Sequence, residues 1–107
     1  GRRAIRQWWV PLFEQHQVDL VFEHDDHAYK RTHPLRGHVP DPQGIVYLGD
    51  GAWGRSKPIP AEHLDRPYIA KALAACHVLH VELDGAHRRV TAMNADGEVI
   101  DQYSDER

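Results

Sequence analysis

Two short apolar runs set the terms on which this chain can fold. Val18-Asp19-Leu20-Val21-Phe22 and Ile45-Val46-Tyr47-Leu48 are apolar, rich in β-favouring side chains and bounded by polar or glycine-bearing stretches. Buried strands read this way. The first run follows a helical pattern: Ile5, Trp8, Trp9, Leu12 and Phe13 fall on one face of an amphipathic helix expected from about Arg2 to Gln15, with the tryptophans in the core. Pro11 removes a backbone donor and crowds the preceding turn, so the helix is expected to kink there or to begin near it. A helix leading directly into a buried strand is an α/β unit. In sheets of that kind ligands gather beyond the carboxyl ends of the strands.

The remainder reads in blocks. Thr32 to Gln43 holds Pro34, Gly37, Pro40 and Pro42 and is expected to be loop. The second apolar run ends in Gly49-Asp50-Gly51-Ala52-Trp53-Gly54, and a Pro-rich loop then reaches Asp65. Asp65 is a candidate N-cap, and Pro67 suits the first turn of a short helix to about Ala75. The last third alternates in strand fashion over His77–Leu83, Arg89–Met93 and Glu98–Tyr103, with turn signals at Asp84-Gly85 and Asn94-Ala95-Asp96-Gly97. That pattern predicts a three-stranded antiparallel meander, with His77 and His80 as strand residues rather than ligands. The fold class expected is mixed α/β (α+β), a single partial domain over residues 1–107.

Composition narrows the function. A net charge of -3 with no basic stripe interleaved with aromatics offers nucleic acid no footprint. No apolar run approaches the length of a membrane span. The single cysteine, Cys76, cannot form an internal disulfide or a cysteine-based zinc site. Of the nine histidines, His16, His33, His38, His63 and His87 lie in polar or turn-like surroundings and read as surface residues.

The chemistry concentrates in Glu23-His24-Asp25-Asp26-His27, where the first apolar run stops. Imidazole nitrogen and carboxylate oxygen together suit zinc, iron or manganese. Four adjacent residues cannot all face one ion, so at most two coordinate, one from each side of the turn. On local composition the cluster reads equally well as a solvated acidic turn with incidental histidines.

The ordered series of features resembles a known family. Val18–Phe22, the cluster, and Ala28-Tyr29-Lys30-Arg31-Thr32 are similar to the late part of calcineurin-like metallophosphoesterases, closest to the purple acid phosphatase-like branch, where V-D-[LV]-V-F runs into G-H-x-H-x-Y-x-R. Gly44-Ile45-Val46-Tyr47-Leu48-Gly49-Asp50-Gly51-Ala52-Trp53-Gly54 is similar to the G-x-x-Y and glycine-rich G-A-x-G that follow there, and the closing meander also fits. The resemblance implies the C-terminal half of a metallophosphoesterase-type αββα sandwich. It implies His27 as a ligand to one ion of a dinuclear centre, and Asp25 where the family has its other histidine. His24 stands on the family's glycine and is the lesser candidate; Asp26 is not one. Tyr29 and Arg31 are implied as supporting or substrate-facing residues, with a core role for Tyr29 and a surface charge for Arg31 as the plainer possibilities. The family's D-x-H, G-D-x-x-D and G-N-H-[DE] motifs precede G-H-x-H there, and none of them precedes the cluster here; the one D-x-H pattern in this sequence, Asp25-Asp26-His27, lies within the cluster itself.

The function so implied is that of a dinuclear metal-dependent phosphohydrolase, acting on phosphomonoesters or diesters through a metal-activated water, with two iron, zinc or manganese ions in the parent protein. Its expected partners are a phosphate-ester substrate and the absent N-terminal half of the same domain, with self-association of the fragment as a further possibility and no nucleic acid or membrane. The fragment alone is expected to be inactive. The competing reading is a degenerate, non-catalytic phosphoesterase-like binding or structural module, for which the exchange of Gly-His for His24-Asp25 speaks.

Overall fold

Both apolar runs form strands, and they lie side by side. A computed structural model describes residues 5–106. In chain order the strands are β1 (Leu20–Glu23), β2 (Tyr29–Thr32), β3 (Leu35–Arg36), β4 (Val39–Pro40), β5 (Val46–Asp50), β6 (Ile69–Leu73), β7 (His77–Asp84), β8 (His87–Asn94) and β9 (Val99–Glu106). The helices are a π-helical turn at Ile5–Trp9 that continues into α1 (Val10–Gln15), and a single turn, α2 (Ala61–Leu64).

Strands β1 and β5 pair in parallel, with Leu20 opposite Val46 and Phe22 opposite Leu48. Strand β2 runs antiparallel to β5 on its other side and to β6 beyond, which gives the order β1-β5-β2-β6. The meander β7-β8-β9 forms a separate three-stranded antiparallel sheet, as the alternation in the sequence predicts. Tyr29, Val46 and Leu48 from the mixed sheet meet Val90 and Ala92 from the meander in the buried core, with Leu20, Phe22, Leu79, Ile100 and Tyr103 packed around them. Because side chains alternate along a strand, Val46 and Leu48 point into this layer while Tyr47 between them points to the opposite face.

Charged groups also tie the sheets together. Arg88 of β8 donates from Nη1 to Asp19 Oδ2 at 2.6 Å and from Nε to Asp105 Oδ1 at 2.8 Å. On β2, Arg31 Nε donates to Asp101 Oδ2 of β9 at 2.7 Å. The hydroxyl of Tyr29 donates to that same carboxylate oxygen.

The α-helix begins at Val10 with Pro11 in its first turn, the second of the two arrangements expected at that proline; the expected start at Arg2 lies outside the described residues. The structure corrects three expectations. Trp8, Trp9 and Leu12 are exposed, and among the described residues of that segment only Val10 is buried. Helical spacing fixes which side chains share a face, but not whether anything covers that face. The expected loop from Thr32 contains a small hairpin, β3 against β4. Gly37 and His38 at its tip both have positive φ, 57° and 67°, as the mirror-image two-residue hairpin turns require.

The third correction concerns the expected helix from Pro67 to Ala75. Helix appears earlier, at α2, and Asp65 caps the C-terminal end of that turn. Residues 69–73 are strand instead, with Tyr29 opposite Leu73 and Arg31 opposite Lys71. Alanine, lysine and leucine favour helix by weak intrinsic preferences, and the open hydrogen-bonding edge of β2 outweighs them.

Candidate functional site

The parallel pair β1 and β5 ends side by side, and the loop from His24 to Ala28 leaves β1 there and turns back into β2. All the candidate ligands are therefore at the carboxyl ends of the parallel strands, the position in which such sheets hold ligands. The loop is pressed against the start of the glycine-rich segment. A Cβ at Gly51 would collide with the carbonyl groups of His24 and Asp26, so glycine is required there by close backbone approach. At Gly49 a Cβ would stand 2.6 Å from Glu23 Oε1. His27 accepts at its carbonyl oxygen from Lys57 N at 2.8 Å, which fastens the far side of the loop.

Within this frame the candidates part company. His27 is half-buried, and its Nδ1 is buried without a hydrogen-bond partner. A buried unpartnered imidazole nitrogen carries a desolvation cost that a metal ion or a donor would relieve. His24 is exposed, and its Nδ1 is engaged with the carboxylate of Asp50 at the end of β5. Asp26 pairs with Lys30 four residues on. The side chain of Asp25 is exposed, while its backbone N–H donates to Glu23 Oε2 at 2.9 Å. Among the described residues, no three His, Cys, Asp or Glu side chains come together in a group able to hold a metal. Among the described residues the loop thus offers one buried, unpartnered imidazole nitrogen and one exposed carboxylate, and no complete metal-ligand set.

Tyr29 and Arg31 point away from the loop, into the layer between the sheets. Tyr29 is 1% exposed. Burial, and next the adjoining Asp101 carboxylate, push its phenol well above the ordinary tyrosine range. At Asp101 burial works to raise the carboxyl, but the hydrogen bonds from Arg31 and Tyr29 prevail and hold it below the usual carboxylate range. At Arg31 burial opposes the charge, and the bond to Asp101 more than restores it. The Arg31 guanidinium also lies 5.7 Å from the centre of the Tyr103 ring.

One residue of this neighbourhood is not legible as such from the sequence. His77, read as an ordinary strand residue, is 2% exposed. Its Nδ1 lies 2.9 Å from Ala75 O and its Nε2 3.3 Å from Gly49 O, its backbone N–H donates to Ala52 O at 3.0 Å, and its ring meets Tyr29 edge-on at 5.2 Å between centroids. It fastens the start of the meander to the glycine-rich segment that in turn abuts the candidate loop. A lone histidine in an alternating strand carries no local sign of this.

A cleft of about 510 Å³ opens on the face of the mixed sheet away from the meander, between α1 and the segment from Ile59 to Ile69, and Glu23, Asp25, Asp26 and Lys30 are among the residues that line it.

No family model matches the chain. An uncharacterized protein of Mycobacterium tuberculosis is 41% identical over 81 residues, covering 60% of this chain and 15% of the relative. Purple acid phosphatase 23 of Arabidopsis thaliana is 33% identical over 64 residues, covering 60% of this chain and 14% of that protein. The chain therefore spans about 15% of the length of the curated relatives it matches. Among solved structures, a purple acid phosphatase from yellow lupin seeds superposes with a TM-score of 0.77 over 92% of this chain and 19% of its own length, at 18% identity. In fold and in sequence likeness, the chain fits a C-terminal portion of a calcineurin-like metallophosphoesterase domain of the purple acid phosphatase-like branch.

Proposed function

We propose that residues 1–107 supply one corner of a dinuclear metal-dependent phosphohydrolase, and that the rest of the parent protein supplies the other ligands. The buried, unpartnered Nδ1 of His27 at the carboxyl ends of β1 and β5 carries this reading. In it His27 holds one ion and Asp25 reaches toward the other, with His24 as the lesser candidate. Bound there, two iron, zinc or manganese ions would lower the pKa of a coordinated water and polarise a phosphoryl oxygen. The chain's own residues position. Gly51 and the Lys57 hydrogen bond hold the loop, and Tyr29 and Arg31 anchor β2 through Asp101. Because Asp101 occupies Arg31, a supporting role for it is favoured over contact with substrate phosphate. With so few donors, the chain alone turns over no phosphate ester.

The competing module reading draws on different observations: His24 is engaged with Asp50 and Asp26 with Lys30. The parent protein separates the two. Purified and analysed for metal, it should hold two ions per chain and hydrolyse 4-nitrophenyl phosphate, and His27→Ala should release at least half the metal while the unfolding midpoint holds. Full metal content in His27→Ala would overturn the assignment of His27. No metal and no turnover in the parent would favour the module. Zinc titrated into the 107-residue chain should perturb the His27 ring resonances first; perturbation of His24 alone would move the ligand assignment there.

A further inference from the structure

The candidate loop has two supports, and one buried side chain touches both. The loop runs directly into β2 at Tyr29, and the backbone from Gly49 to Gly51 is pressed against it. A Cβ at Gly51 would stand 2.3 Å from Asp26 O and 2.4 Å from His24 O. Close-packed groups transmit strain, so a displacement of Gly51 is passed on to the loop. His77 grips this segment on either side of Gly51. Its backbone N–H donates to Ala52 O at 3.0 Å, and its ring Nε2 lies 3.3 Å from Gly49 O. The same ring meets the Tyr29 ring edge-on, with 5.2 Å between centroids, and its Nδ1 lies 2.9 Å from Ala75 O. At 2% exposure a hydrogen bond lost from this ring is not replaced by water. The main-chain bond to Ala52 needs no particular side chain, so the tie to Gly49 is what histidine adds at this position. All these contacts lie inside the chain, and none depends on what covers its surface.

We infer that His77 is a positioning residue for the candidate metal corner: its Nε2–H, donated to Gly49 O, holds the Gly49–Gly51 backbone against the loop from His24 to Ala28, so that the meander sheet sets where His27 and Asp25 stand. The inference rests on the reading of that loop as part of a metal site. His77 itself touches neither metal nor substrate in it.

Two substitutions separate the two ends of the ring. His77→Gln carries its amide NH2 near the position of Nε2 and can keep the bond to Gly49, whereas His77→Asn carries it near Nδ1 and reaches Ala75 only. In the 107-residue chain the readouts are the amides of Asp25 and Lys57, which donate to Glu23 Oε2 and to His27 O at the two flanks of the loop. His77→Asn should quicken their hydrogen exchange about 3- to 10-fold, the span of a single hydrogen bond, while Val90 in the core of the meander exchanges as before. His77→Gln should restore the unaltered rates. Ring-nitrogen correlation spectra of the unaltered chain should show a proton on Nε2. In the parent protein His77→Asn should surrender metal to EDTA about 3- to 10-fold faster and lower kcat on 4-nitrophenyl phosphate with KM unchanged, and His77→Gln should do neither. The inference is overturned if His77→Asn leaves the Asp25 and Lys57 amides unmoved, if Val90 quickens with them, if His77→Gln behaves as His77→Asn does, if Nε2 bears no proton, or if the metal-loaded parent releases its ions at the same rate with asparagine in place. A parent protein that holds no metal would instead sink the metal-site reading, and the amide rates would still decide whether His77 positions the loop.

Discussion

Replacing Asp101 by asparagine isolates the electrostatic tie between the two sheets. The Asp101 side chain is 8% exposed and that of Arg31 21% exposed, with 2.7 Å between Arg31 Nε and Asp101 Oδ2. Asparagine keeps the shape, and its carbonyl can still accept from Tyr29, so what is lost is the charge opposite Arg31. Breaking a fully buried pair by removing one partner costs about 3–5 kcal/mol, because the other charge stays buried. Arg31 retains some access to water and lies against the Tyr103 ring, which brings the expectation to about 2–4 kcal/mol. With a urea m-value near 1.5 kcal/mol/M, the denaturation midpoint at pH 7 should fall by about 2 M. The double variant Asp101→Asn with Arg31→Met should lose less than the sum of the two single losses, since an apolar pair of similar volume leaves no charge stranded. The pH dependence has a definite sign. Asp101 is held below its ordinary range in the folded chain, so its contribution is complete above about pH 4 and fades as pH falls below that toward the depressed folded value. The gap between the unaltered chain and Asp101→Asn should accordingly narrow in acid. A gap within about 0.5 kcal/mol at pH 7, or strictly additive losses, would refute the argument.

Three further outcomes can be checked by denaturation. Gly51→Ala should destabilise by about 1–3 kcal/mol, the usual cost of overpacking, because the carbonyl groups its Cβ would strike are backbone and cannot swing aside; amide exchange in residues 24–28 should quicken with it. Tyr29 and Tyr47 are both raised in the folded chain, so stability complete below about pH 10 should be lost progressively above it as the phenols ionise more readily unfolded than folded, and Tyr29→Phe with Tyr47→Phe should flatten that loss. Leu48, 0% exposed, should cost about 2–5 kcal/mol as alanine, whereas Trp8→Ser, at a side chain 66% exposed, should stay within about 0.5 kcal/mol, when each is followed by thermal unfolding.

The amino-acid sequence by itself determined the strands that carry their own periodicity. Val18–Phe22, Ile45–Leu48 and the meander are short-range patterns in which strand follows from alternation or from an unbroken apolar run, although burial does not: Val81 and Leu83 of β7 stay exposed. The cluster from Glu23 to His27 was legible as a turn rich in imidazole and carboxylate groups, and its place beyond β1 followed from the strand before it. Tertiary structure alone decided the rest. Ile69–Leu73 became β6 because β2 offered an open edge, which no local preference of alanine, lysine or leucine reveals. Trp8 and Trp9 keep their helical spacing yet face outward, because covering a face takes a partner that spacing does not name. Tyr29 and Arg31 sit beside the candidate ligands in the chain, but their side chains belong to Asp101, roughly seventy positions away. His77 reaches Gly49 from the other sheet. Periodicity is fixed by neighbours a few residues apart, whereas the environment of a titratable side chain is fixed by whatever the fold brings against it.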